Sequence, residues 1–269
     1  MWQGKKTFTR ESLKSELRAI SMRGFIRSHK DTSTTRNDGA PGNLLENLLG
    51  IDENNLPIAD ADGWELKTQR ATTGSLLTLK HIEPYPRELK FVPNILLPNY
   101  GWPHKEAGAK YLHSEKSFRM TMNGGTYTDR GFKVRNDGDA LRIVFSPENV
   151  DQKHSDWLKE ILLHHPGGQF EIQPFWKLAD LEKLISPKLT NMFYVTANVR
   201  RVNGQEEFHY VKCQELMGFS MTGFLDCLQE GIAFVEFDAR TGHNHGTKFR
   251  IKQSALPLLY SHHEVVFDN

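Results

Sequence analysis

The pair Asn203-Gly204 separates two segments of alternating polarity, NMFYVTANVRR and EEFHYVKCQ. A two-residue hairpin turn needs positive φ, which Asn and Gly tolerate, so this pattern predicts an antiparallel hairpin. The remaining chain supplies both helical and strand periodicities. Residues 9–22 place Leu13, Leu17 and Ile20 at helical spacing behind a Thr9 cap, with Gly24 ending the run. Residues 28–41 read as a polar loop, and 43–49 as a short helix closed by Gly50. Helices are also expected at 154–165, capped by Ser155, at 178–185, and at 220–230, ending at Gly231. WELKTQ, 75–82, 117–122, 141–146, IAFVEFDAR and KFRIK read as strands, whereas 83–116 is rich in Pro and Gly and has no clear pattern. The mix predicts an α/β or α+β fold with a mixed central sheet flanked by helices.

Composition narrows the class. The 269 residues are 38% hydrophobic and 25% charged, enough for one large domain or two smaller ones. No run approaches the ~20 apolar residues of a membrane span. The N-terminus is charged and lacks an apolar signal core. The expectation is therefore a cytoplasmic, bacterial protein with no membrane partner. Cys213 and Cys227 form no CxxC pair and read as buried thiols.

Charge is unevenly placed. Residues 1–36 hold nine Lys/Arg against three acids, and residues 37–66 hold seven acids and no Lys or Arg. A basic arm can neutralise phosphates and an acidic block can hold a hard cation, although both also suit a solvated surface. Within the block, strand alternation puts Trp64 and Leu66 on one face and Glu65 and Lys67 on the other. Asp60 and Asp62 lie where the chain enters that strand. A carboxylate pair with a neighbouring lysine suits phosphodiester hydrolysis: oxygens for Mg²⁺, and an ammonium to orient the attacking water or stabilise developing charge. The Leu66 carbonyl is a further oxygen donor. Spacing alone does not choose between Asp60 and Asp62, and D-x4-E-x-K also fits an exposed strand with incidental charges.

The run GAPGNLLENLLGIDENNLPIADADGWELKTQR resembles the MvaI/BcnI restriction endonucleases, relatives of the MutH nicking enzyme. The resemblance rests on Leu44-Leu45-Glu46, Leu48-Leu49-Gly50-Ile51, Glu53-Asn54-Asn55, Asp60 and Glu65-Leu66-Lys67. It implies a restriction-endonuclease-like, MutH-type core. It implies catalytic roles for Asp60, Glu65, Lys67 and Glu46, with Mg²⁺ held by Asp60, Glu65 and the Leu66 carbonyl. The family spacing prefers Asp60 over Asp62. One departure is Asn43-Leu44, where the family pattern has a Tyr/His-Thr pair.

GIAFVEFDARTGHNHGTKFRI resembles the segment from which the family reads base edges, making Asp238 and Arg240 candidates for major-groove contacts. Arg can be bidentate to guanine O6 and N7, and Asp can accept from cytosine N4. His243-Asn244-His245 spells HNH, but that nuclease motif is dispersed over tens of residues; a loop approaching DNA through His245 fits better. His81 could approach the scissile phosphate. His262 or His263 falls near the family's residue for the middle of the target site. RGFKVRNDG at 130–138 adds scattered basic residues.

Together these features predict a Mg²⁺-dependent type II restriction endonuclease acting on double-stranded DNA. The expected division is a mainly catalytic subdomain over 1–120 and a mainly recognition subdomain over 121–269, clasping DNA between them. The resemblance implies a monomer, a CC-N-GG-like site and a companion DNA methyltransferase. The alternatives are a MutH-like nicking enzyme and a non-catalytic DNA-binding protein.

Overall fold

The computed structural model describes residues 8–28, 39–51, 63–72 and 74–269. In chain order its helices and strands are α1 (Arg10–Ser21), β1 (Ile26–Arg27), α2 (Ala40–Leu49), β2 (Glu65–Arg70), β3 (Leu77–His81), α3 (Leu97–Tyr100), β4 (Trp102–Pro103), β5 (Lys116–Met122), β6 (Arg130–Asn136) and β7 (Ala140–Val150). They continue with α4 (Ser155–His164), β8 (Phe175–Lys177), α5 (Leu178–Leu189), β9 (Asn191–Val202), β10 (Gln205–Phe219), α6 (Met221–Gln229), β11 (Ala233–Arg240), β12 (His243–Asn244), β13 (Lys248–Ile251) and β14 (Tyr260–Asp268). Two compact units share the chain. The first is drawn from Met1–Ser75, Ile185–Ser220 and Leu256–Asn269, the second from Leu76–Leu184 and Met221–Ala255.

The first unit is built on the expected hairpin. β9 and β10 pair antiparallel from Asn191 against Met217 down to Val202 against Gln205, and Asn203 and Gly204 turn at φ 51° and 80°. The sheet runs β1-β10-β9-β2, with β14 also on β10. β2 runs parallel to β9 and every other pairing is antiparallel, so the sheet is mixed, as expected. Thr9 caps α1 by accepting from the Ser12 N–H, and Leu13, Leu17 and Ile20 are buried. Burying each such side chain contributes about 1.5–3 kcal/mol. α2 closes on Gly50 in the left-handed region, φ 71°. Its start is earlier than expected because Pro41 suits the first helical turn, where no N–H partner is needed. Leu44, Leu45 and Leu49 join Leu66, Phe193, Val195 and Phe208 in one core.

The second unit holds a six-stranded sheet, β3-β13-β11-β5-β4 with β12 on β11, and a three-stranded sheet, β6-β7-β8. Its interior is aromatic: Phe118, Phe132, Trp176, Phe237 and Phe249 are buried, and the Trp176 indole N–H donates to the Ile82 carbonyl at 3.1 Å. The basic stretch at 130–138 is largely β6, with Phe132 and Val134 turned inward. Ser155 is the first residue of α4 and not its cap; His154 occupies that position, and the Asp151 carboxylate accepts from the Lys153 N–H of the preceding turn. Residues 83–116 contain only short elements, among them a π-helical stretch over Val92–Leu96. Pro93 and Pro98, which lack an N–H, fall in these pieces and limit regular pairing. Cys213 and Cys227 are free and buried, as expected. Among the described residues no helix is long and apolar enough to cross a membrane.

Candidate functional site

β2 is an edge strand of the first unit's sheet, among the described residues, and its alternation sorts its side chains. Trp64 and Leu66 are buried in the core, the Trp64 ring 4.7 Å from that of Phe193. Glu65 and Lys67 project to the opposite face. Glu65 is not the surface acid that an amphipathic strand would carry: it is only 2% exposed. Lys67 Nζ donates to Glu65 Oε1 at 2.5 Å. Glu65 Oε2 is buried and has no hydrogen-bond partner among the described residues. Such an oxygen costs about 1–3 kcal/mol unless a donor or a cation satisfies it.

Three further polar side chains share that face, and sequence reasoning missed them. Glu65, Lys67 and Gln69 stand opposite Met192, Tyr194 and Thr196. Gln69 Nε2 lies 3.3 Å from both the carbonyl and the hydroxyl oxygen of Ser75, and the Tyr194 hydroxyl lies 3.5 Å from Gln69 Oε1. Burial pushes the Tyr194 phenol up to about 12, so it remains a proton donor at neutral pH. The buried Tyr260 hydroxyl sits 3.8 Å from Met192 Sδ; burial and then the charge of Glu65 push its phenol up. The alternation within NMFYVTANV carries the signal for Tyr194, but only pairing with β2 shows what it faces.

The other catalytic candidates fall elsewhere. Asp60, Asp62 and the Glu53-Asn54-Asn55 run lie outside the described residues. α2 packs on the opposite face of β2: a Cβ at Gly42 would stand 3.9 Å from Thr68 Cβ. Glu46 lies one turn further on in α2, and its charge adds to the burial that pushes the Tyr210 phenol up. Among the described residues no three His, Cys, Asp or Glu side chains gather into a metal-sized cluster. The donor set of Glu65 nonetheless fits a hard cation: one carboxylate oxygen tethered to a lysine, the other without a partner among the described residues.

His262 and His263 lie on β14 and are exposed. The register Glu65–Met192–Leu216–His263 places His263 in the same rung as Glu65, three strands away. His262, one residue earlier, points to the α1 face.

The remaining candidates belong to the second unit. On β11, Val235, Phe237 and Ala239 are buried, which turns Glu236, Asp238 and Arg240 to the other face. Asp238 Oδ2 is 3.2 Å from Lys248 Nζ, and Oδ1 is 3.7 Å from Arg119 Nε. Arg240 Nη1 donates to buried Glu115 at 3.0 Å, and its guanidinium lies 4.6 Å from the Tyr111 ring. The His245 N–H donates to the Asp238 carbonyl at 2.9 Å, and its ring contacts His243 at 4.2 Å. His81, on β3, stands opposite Lys248. Burial and then the charge of Lys248 hold its imidazole below the usual range, with Arg250 adding and Glu83 and Glu236 opposing.

The model of the MvaI/BcnI restriction endonuclease family matches residues 14–260, most of the chain. The chain belongs to the MvaI/BcnI restriction endonuclease family. Solved structures agree on the fold. A complex of restriction endonuclease MvaI with its cognate DNA substrate is similar at 18% identity, covering 97% of this chain and 100% of that one, with a TM-score of 0.74. MvaI in the absence of DNA is similar at 20% identity and a TM-score of 0.53, covering 97% and 99%. A comparison with curated proteins found no match. As a MvaI/BcnI member the chain is a DNA-cleaving enzyme, which replaces the reading of a non-catalytic DNA-binding protein. The expected fold and family are thus both found.

Proposed function

We propose that this MvaI/BcnI enzyme is a Mg²⁺-dependent type II restriction endonuclease that hydrolyses double-stranded DNA at the Glu65–Lys67 face of β2. The carrying observation is the buried Glu65 carboxylate, with Lys67 on one oxygen and no partner on the other among the described residues. Glu65, Asp60 and the Leu66 carbonyl would hold the cation, which when bound lowers the pKa of a water and polarises the phosphate. Lys67 orients the attacking water and offsets charge developing on the phosphate. Glu46 completes the set from the other side of the edge strand. Asp238, Arg240 and His245 would read bases, His81 would approach the duplex, and of the two C-terminal histidines His263, in the rung of Glu65, is better placed to do so than His262. A CC-N-GG-like target, a monomeric enzyme and a companion methyltransferase complete the proposal. DNA as partner is supported by the MvaI complex with its cognate substrate.

Digestion of a sequenced phage DNA with Mg²⁺, followed by mapping of fragment ends, tests this directly. Discrete ends on both strands are expected, abolished by a chelator. One nick per site would instead support MutH-like action. Lys67→Ala is expected to slow cleavage by about 10²–10⁴-fold and to keep salt-dependent specific binding. Wild-type cutting by Lys67→Ala would refute the site.

A further inference from the structure

The polar face of the second unit's large sheet carries a continuous ladder of alternating charge. Arg250 Nη1 is 2.6 Å from Glu236 Oε2, and Glu236 Oε1 is 3.2 Å from Lys248 Nζ. Lys248 also reaches Asp238 Oδ2 at 3.2 Å, and Asp238 Oδ1 faces Arg119 Nε at 3.7 Å. The ladder crosses β13, β11 and β5, and exposure rises from Glu236 through Lys248 and Asp238 to Arg119. Glu236 and Lys248 are largely buried, the Asp238 side chain is 20% exposed, and that of Arg119 is 72% exposed. Arg119 is thus the loose end. At 3.7 Å its guanidinium is steered by Asp238 without a hydrogen bond, and its donors have no hydrogen-bond partner among the described residues.

Arg240, also on this face, is differently placed. Asp238 and Arg240 are two residues apart on one strand, about 6.6 Å. Arg240 is already engaged by the buried Glu115 carboxylate and by the Tyr111 ring. Arg119 instead stands directly across from Asp238 in the β5–β11 register. Side chains so paired are about 4.5–5.5 Å apart at Cβ. A C·G pair presents to the major groove a cytosine N4 donor beside the guanine O6 and N7 acceptors. An acceptor next to a planar fork of donors complements that pattern within one base pair.

We propose that Arg119 is a specificity-determining residue: Arg119 and Asp238 together read one C·G pair, Arg119 on the guanine and Asp238 on the cytosine. Lys248 is the positioning residue that fixes the Asp238 carboxylate by occupying its second oxygen. This rests on the DNA-cutting reading above and assigns that reading a residue which neither the composition nor the segment around Asp238 indicated.

The test compares the wild-type chain with Arg119→Ala and Arg119→Lys by mapping cut ends on sequenced phage DNA with Mg²⁺. Arg119 is exposed, so neither change removes core packing, and a circular-dichroism melt confirms folding. Arg119→Ala is expected to lose its preference at one C·G position, or at that position and its symmetry mate. Its rate at the original site is expected to fall roughly 5- to 150-fold. Arg119→Lys keeps the charge but not the fork, so it is expected to relax the same position. Cutting by Arg119→Ala with the wild-type consensus and rate overturns the proposal. So does restoration of the full consensus by Arg119→Lys, which would make the residue a phosphate contact. A wild-type chain that cuts no DNA fails earlier: it sinks the function reading, and this inference with it.

Discussion

Glu65 is held in the fold at a cost to stability, and Glu65→Leu should reveal it. The wild-type carboxylate leaves one buried oxygen without a partner among the described residues, a penalty of about 1–3 kcal/mol. Against this stands the ion pair with Lys67. The Lys67 side chain is 26% exposed and can return its ammonium to water, so that pair contributes only about 0–1 kcal/mol. Leucine removes the unpaired acceptor and fills much of its volume on a face already bearing Met192 and Tyr260. In a metal chelator the variant should therefore be more stable, by about 1 kcal/mol net, raising Tm by about 2–4 °C. Mg²⁺ should reverse the order. A cation at about 100 times its Kd adds about 2.7 kcal/mol to wild type and nothing to a chain lacking its ligand. Thermal melts of both proteins, in chelator and in a Mg²⁺ series, read both effects, and cleavage should vanish in the variant throughout. A variant destabilised by more than about 1 kcal/mol in chelator would refute the unpaired-oxygen argument. Equal stabilisation of both proteins by Mg²⁺ would refute the ligand assignment.

Two further expectations concern the scaffold. Arg70, at the far end of β2, forms two hydrogen bonds of 2.8 and 2.9 Å with Glu206, both side chains nearly buried. Glu206→Leu should cost about 3–5 kcal/mol by removing one partner of a buried ion pair, and Arg70→Met less, because Arg201 lies 3.6 Å from Glu206 and can replace it in part. The double variant should lie near wild type in urea unfolding; additive losses would contradict the pairing. His81 supplies a pH test. Its imidazole is held below the unfolded value of about 6.5, so the unfolded chain takes up the proton first as pH falls. This contribution is present in full above that value and lost as pH drops toward the folded pKa. The urea midpoint should thus fall between pH 7.5 and 5.5 by less in His81→Gln than in wild type, and identical falls would remove His81 as a source.

Much of the site's local chemistry was legible because it depends on neighbours in the chain. The alternation in Trp64-Glu65-Leu66-Lys67 fixes which two side chains share a face, and the structure keeps that division. Gly50 marks the end of α2 and Asn203-Gly204 the hairpin, because each must adopt positive φ wherever it occurs. Strands β6 and β14 escaped detection. Arg130–Asn136 is crowded with charge, with only Phe132 and Val134 as apolar markers, and Tyr260–Asp268 is mostly exposed, so neither carries a strong apolar alternation. The Ser155 cap failed because the chain enters α4 through a short turn capped by Asp151.

The sequence by itself determined the family, and it placed a carboxylate and a lysine on one face of a single strand, at a short, recognisable distance in the chain. Tertiary structure decided what those groups face. Burial of Glu65, the approach of Tyr194 and the meeting of Asp238 with Arg119 all arise from pairings between strands distant in sequence. Such pairings depend on register across a sheet, and local periodicity specifies a strand's own faces without naming the strand that will lie beside it.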